Sequence, residues 1–181
     1  MDRAWNCAVA MLLGLLVGQL PAAAEVNPTS SSQTALTENH LPAIRVPWEL
    51  SARYDAGDSS SQTLTTKAWE ALKRGDRDGV AFYTALCIDL YEPEALRQQA
   101  SLRRPAPQSD VFHYWALNDV AVCYFILGES LRLSRQPEQA RPLFERIVSQ
   151  FSFAQCWDPR GWFWSVADGA DVRLKILSAA P

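Results

Sequence analysis

Nine consecutive positions, Val120-Ala121-Val122-Cys123-Tyr124-Phe125-Ile126-Leu127-Gly128, carry no charge and no strongly polar side chain. At about 100° per residue such a run goes round a helix more than twice and leaves no face for water. A helix of this kind holds its place only between other elements. The chain is therefore expected to be built around a helix of about 110–134, with Ser109-Asp110 as its cap and other helices on every side.

The flanking sequence supplies those partners. Leu64, Ala68, Ala71 and Leu72 fall at helical spacing from about Gln62, and Gly75-Asp76-Arg77-Asp78 reads as a stop and restart. Val80, Tyr83, Thr84, Cys87, Ile88 and Tyr91 form the next stripe, which Pro93 should end. Glu94-Ala95-Leu96 then suggests a short helix to about Leu102. Arg103-Arg104-Pro105-Ala106-Pro107 cannot continue it. Ala140, Leu143, Phe144, Ile147, Val148 and Phe151 make an amphipathic stripe over about 137–151, with Pro142 as its flaw. An aromatic loop, Trp157-Asp158-Pro159-Arg160-Gly161-Trp162-Phe163-Trp164, precedes a last helix over about 166–177. No segment reads as a strand. The expected class is all-α: antiparallel helical hairpins in a short α-solenoid-like stack, with an aromatic C-terminal loop and a capping helix.

The first 24 residues read as an address. Arg3 is followed by an apolar run from Ala8 to Gly18, then by Pro21 and Ala22-Ala23-Ala24. That is the order of a secretory signal cleaved after Ala24. The run is much shorter than the roughly 20 residues a spanning helix needs. An uncleaved interfacial anchor is the alternative, and contact with a membrane is expected only through the uncleaved signal. Residues 25–61 read as a leader: six of the ten positions from Pro28 to Thr37 are Ser or Thr. Within it, Leu41 to Leu50 is apolar enough to dock on the body, and Asp55 to Ser61 reads as a linker. Residues 62–181 form the helical domain, with its aromatic tail over 153–181. The expected location is periplasmic or secreted.

Seventeen basic against 20 acidic residues leave no basic stripe for a phosphate backbone, so nucleic acid is not an expected partner. Loss of Cys7 with the signal leaves Cys87, Cys123 and Cys156, an odd number for an oxidising compartment. No Cys or His pair has ligand spacing, so no metal or other cofactor is expected. One disulfide plus one buried thiol is the expected count, with Cys123–Cys156 as the pair and Cys87 reduced. Three cysteines packed as small hydrophobes are the alternative.

Tyr124, Leu127-Gly128 and Leu131 on one helix, with Ala140, Phe144 and Ile147 on the next, resemble a tetratricopeptide repeat. In such a hairpin Gly128 lets the helices approach, while Tyr124, Leu131 and Phe144 fill the seam. Leu64 to Ile88 is similar to a second copy, with Ala68, Gly75-Asp76, Val80, Thr84 and Cys87 in corresponding places. The resemblance implies a scaffold whose concave face recognises a protein or peptide, without catalysis. The ending from Cys156 to Trp164 also looks like the tail of small exported proteobacterial helical proteins, some of which carry a "beta-glucanase precursor" label.

That label needs two carboxylates about 5 Å, or roughly 6.5–9.5 Å, apart across a sugar. Glu92 and Glu94 flank a proline, and Asp76 and Asp78 sit in a turn, so neither reads as such a pair. Asp110 and His113 could orient an imidazole, though capping and an exposed polar end account for both. Glu129 and Ser130 lie mid-helix, outside any nucleophile-elbow pattern. Arg103 and Arg104 could meet an anion, or simply be solvated. Trp157, Trp162 and Trp164 carry the remaining ligand expectation. In an extended segment Trp162 and Trp164 share one side and Phe163 takes the other. Two indoles could stack on a glucan or clamp a peptide proline; equally, they could plug the open end of the stack.

Overall fold

A computed structural model describes residues 44–179, and within them five helices and one two-stranded sheet. The signal, its cleavage site and residues 25–43 lie outside the described residues. The helices are α1 (Ser61–Arg74), α2 (Arg77–Ser101), α3 (Trp115–Leu133), α4 (Pro137–Gln150) and α5 (Val166–Ala179). The strands β1 (Gln155–Asp158) and β2 (Trp162–Ser165) lie between α4 and α5.

The all-round apolar run does what its composition requires. From Ala116 to Ile126 every residue of α3 is buried, and α1, α2, α4 and α5 all pack on it. α1 and α2 form one antiparallel hairpin, closed at Gly75 and restarted by Asp76, whose side chain accepts from Gly79 N. α3 and α4 form a second hairpin. Its seam is set by Gly128, where an added Cβ would come within 2.8 Å of the Phe144 ring. Tyr124 stacks on Phe151 with ring centroids 5.6 Å apart, and Ala140, Phe144 and Ile147 are fully buried beside them. Leu127 and Leu131 are half-buried against the same core.

Four expectations need correction. α2 runs unbroken through Pro93 to Ser101. The proline frees the carbonyl of Asp89, which is exposed and can be hydrated, so the missing bond costs little. Next to it, Glu92 accepts from Tyr124 Oη at 2.7 Å and from Arg146 at 2.6 Å, which pins the helix across that point. Pro142 is tolerated in α4 for a similar reason: the carbonyl it frees belongs to exposed Glu138, in the first turn. Ser109-Asp110 does not cap α3. A 3-10 turn, Val111–Tyr114, intervenes, and the Asp110 carboxylate accepts from Ser109 Oγ instead.

The third correction concerns the aromatic tail, which is a β-hairpin. β1 and β2 pair antiparallel, with Cys156 opposite Trp164 and Asp158 opposite Trp162. Asp158-Pro159-Arg160-Gly161 is the turn: Gly161 N donates to Asp158 O at 2.9 Å, and Gly161 sits at φ +106°. Proline at the second position and glycine at the fourth are an ordinary turn signal.

The stretch 55–60, read as a linker, is a hydrogen-bonded turn. Asp55 and Asp58 accept from Gly57 N and Ser60 N, and Ser60 caps α1. The segment before it is docked, with Ile44, Val46, Leu50 and Tyr54 against the core and Tyr54 Oη donating to Asp76 at 2.7 Å.

Candidate functional site

The β-hairpin is held against α3 by amides. Gln155 N donates to Asn118 Oδ1 at 2.9 Å, Asn118 Nδ2 donates to Val111 O, and Gln155 Nε2 donates to Ala106 O. Strand alternation then separates the aromatic side chains. Phe163 goes to one face, between Trp157 at 5.0 Å and Phe112 at 5.6 Å between ring centroids. Trp162 and Trp164 take the other face, as their spacing predicts for extended chain.

On that face the two indoles have different surroundings. Trp164 packs edge-on to Phe125 of α3 at 5.5 Å, and an added Cβ at Gly169 of α5 would come within 2.9 Å of its ring. Its indole N–H is buried and has no acceptor among the described residues. Trp162, two residues earlier, is 42% exposed and has the Arg160 guanidinium 4.3 Å from its ring centroid. Arg160 in turn forms a two-point pair with buried Asp158, both contacts at 2.9 Å. That guanidinium holds the Asp158 carboxyl below the usual carboxylate range.

Between β2, α3 and α5 these side chains enclose an open cavity of about 540 Å³, with Phe125 contributed by α3 and Val172 and Arg173 by α5. Its lining is mainly apolar. Two ion pairs border it: Asp158–Arg160, and Arg173 with buried Glu129 at 2.7 Å. Arg173 also lies over the Phe125 ring at 5.6 Å. The cavity therefore presents aromatic faces and two guanidinium groups, each already paired with a carboxylate. Such a site suits an apolar or aromatic group with polar edges better than a bare anion.

Glu129 also accepts a two-point contact from Arg132 at 2.9 and 3.0 Å. Burial alone would push its carboxyl up; Arg132 and Arg173 outweigh that and hold it below the ordinary value. A depressed carboxyl stabilises the fold above its unfolded pKa of about 4.3, and that contribution is lost as pH falls through the lower folded value. Glu129→Gln is therefore expected to destabilise the protein at pH 7. Denaturant melts should show the gap to wild type closing only below about pH 4. A gap independent of pH would place the effect outside the charge.

The other residues singled out from the sequence are distributed elsewhere. His113 is exposed, and its hydrogen bond to Asp110 runs between backbones. Arg103 and Arg104 are exposed. Ser130 is buried at the α3 end of a second cleft of about 450 Å³, near the hairpin turns. Asp76 caps α2, Asp78 pairs with Arg53 at 3.0 Å, Glu92 joins α2 to α3 and α4, and Glu94 bonds Gln98 and Arg97. Each of these four carboxylates thus has a hydrogen-bonding or ionic partner within the protein. Among the described residues no group of His, Cys, Asp and Glu could hold a metal ion.

The structure contains no Cys123–Cys156 bond, and Cys87, Cys123 and Cys156 are all buried. Cys123 is midway along α3 and Cys156 lies beyond the end of α4, so the hairpin does not bring them to one level. On a helix apolar all round, periodicity cannot say which neighbour a given side faces, and Cys123 faces α1 and α2.

Sequence reasoning missed Phe125, Arg160 and Arg173 as cavity residues. The Asp-Pro-Arg-Gly turn signal was there to place Arg160 beside Trp162. Nothing local assigned Phe125 to this side of α3. Comparison with protein-family models, with curated proteins and with solved structures found no match for this chain.

Proposed function

We propose that this chain is an exported, non-catalytic recognition module of tetratricopeptide-like hairpins. Its ligand is a protein segment that presents an apolar or aromatic side chain to the cavity between α3, β2 and α5. The observation that carries the reading is the cavity itself. It is about 540 Å³, large enough for one or two side chains, with aromatic walls and an exposed indole at its rim. Stacked helical hairpins with such a concavity act by side-chain recognition, and aromatic anchors in a desolvated pocket supply most of the affinity in such contacts. That α1 and α5 both contact α3, as the first helices of successive hairpins do in a repeat stack, supports the repeat reading.

A second reading is favoured by Trp162 alone: an indole 42% exposed, beside Asp158 and Asp168, is a platform on which a glucan ring could stack. One experiment separates the two. Envelope extract is passed over immobilised wild type, Trp162→Ala and Val172→Glu, with and without a soluble glucan. Capture of a protein by wild type, lost in both variants and unaffected by glucan, is expected. Displacement by glucan would install the second reading. Equal capture by all three proteins would remove the cavity from the function.

A further inference from the structure

Cys87 of α2 and Cys123 of α3 are each 0% exposed, on two helices that pack against each other. Thr65 of α1 marks the place: its Oγ1 lies 3.9 Å from Cys87 Sγ and 3.4 Å from Cys123 Sγ. Both sulfurs thus lie within reach of one hydroxyl oxygen, and the Cys123 thiol beside Cys87 helps to push the Cys87 thiol up. We infer that Cys87 and Cys123 are a disulfide pair, which links α2 to α3 beneath α1 whenever the chain folds in the presence of a disulfide oxidant. Cys156 lies apart, at the β-hairpin, with its thiol on the carbonyl of Trp157.

The chemistry is thiol–disulfide exchange. One cysteine thiolate attacks a small-molecule or protein disulfide and expels one of its sulfurs as a thiolate. The second cysteine then attacks the mixed disulfide and expels the other. The two cysteines lose two protons and two electrons, and one oxidant disulfide becomes two thiols. Timing follows from burial. Burial and the Cys123 contact push the Cys87 thiol well above its ordinary value, so the folded protein offers almost no thiolate there. Exchange therefore belongs to folding, while α2 and α3 are closing and before α1 covers them. Once α1 is in place, the same burial protects the bond from reductants. Such a bond requires Cα separations of about 4.4–6.8 Å.

The inference uses the export reading only to say that an oxidant is met in life; the test does not depend on it. The full chain is refolded from denaturant in a glutathione redox buffer, denatured again, alkylated and digested without reductant. A single linked peptide joining Cys87 to Cys123, with Cys7 and Cys156 alkylated, is expected. Alkylation of all four cysteines, or any link through Cys156 or Cys7, overturns the inference. A second readout guards against a bond formed only by chance. Wild type refolded in excess reductant should melt roughly 5–15 °C below wild type refolded in the redox buffer, and Cys87→Ser and Cys123→Ser should melt alike from both buffers. Equal wild-type melts from the two buffers also count against the pair.

Discussion

Cutting the chain after Ser152 is expected to leave a protein that does not fold. The lost segment buries Ala154, Cys156, Val166 and Ala170 completely. It also takes Trp164 from Phe125, Gln155 from Asn118 and Arg173 from Glu129. Burial of a large apolar side chain is worth roughly 1.5–3 kcal/mol. The packed aromatic side chains Trp157, Phe163 and Trp164 could add on the order of 4.5–9 kcal/mol as an upper bound. Whole domains are stable by about 5–15 kcal/mol, so little would remain. Point variants resolve the tail further, because its two same-side indoles differ. Trp164→Ala empties a packed position against Phe125 and Gly169 and should cost about 3 kcal/mol, lowering the melting temperature by roughly 6–12 °C. Trp162→Ala, at a half-exposed rim position, should stay within about 1 kcal/mol of wild type. Thermal melts of the two variants decide it. Equal losses would show that Trp162 is a structural plug and would take the rim away from the proposed ligand.

The helical class was legible because one local feature forced it: a run that is apolar all round needs neighbours, and the flanking stripes at helical spacing supply them. Both hairpin turns were legible for the same reason, since Gly75-Asp76 and the break before Pro137 act within a few residues. What the sequence hid was mostly orientation. Pro93 and Pro142 look like breakers, yet the carbonyls they free belong to the exposed residues Asp89 and Glu138, and only the folded helix shows that. Cys123 could face any of four helices, and its true neighbours are Cys87 and Thr65, far away in sequence. The β-hairpin was hidden by its brevity. Four-residue strands give too short an alternation to read, although Asp158-Pro159-Arg160-Gly161 signalled the turn between them. For the cavity, Trp162 and Trp164 were legible as a same-side pair, whereas Phe125, Arg160 and Arg173 reach it only through packing.

The α3–α4 seam makes the sharpest test of the resemblance to a repeat hairpin, because two residues there should change sign together. Phe144 is 0% exposed, and Phe144→Ala should cost about 3–5 kcal/mol, enough to drop the melting temperature by 10 °C or so. Gly128 faces it. A methyl group at Gly128 would stand 2.8 Å from two carbons of the ring, and the ring cannot swing away, because Phe125 meets it edge-on at 5.7 Å. In the wild-type background, then, Gly128→Ala should destabilise by about 1–2 kcal/mol, the overpacking penalty exceeding the roughly 0.5–1 kcal/mol that alanine gains over glycine inside a helix. With Phe144→Ala already in place the clash is gone and only the helix preference remains. Gly128→Ala should then stabilise by about 0.5–1 kcal/mol and partly refill the space left by the ring. The double-mutant cycle accordingly carries a coupling of about 2 kcal/mol, well above the few tenths expected for independent sites. Denaturant unfolding of the four proteins measures it. If Gly128→Ala costs the same with and without the ring, the close approach of the two helices at this point is not what the glycine is for.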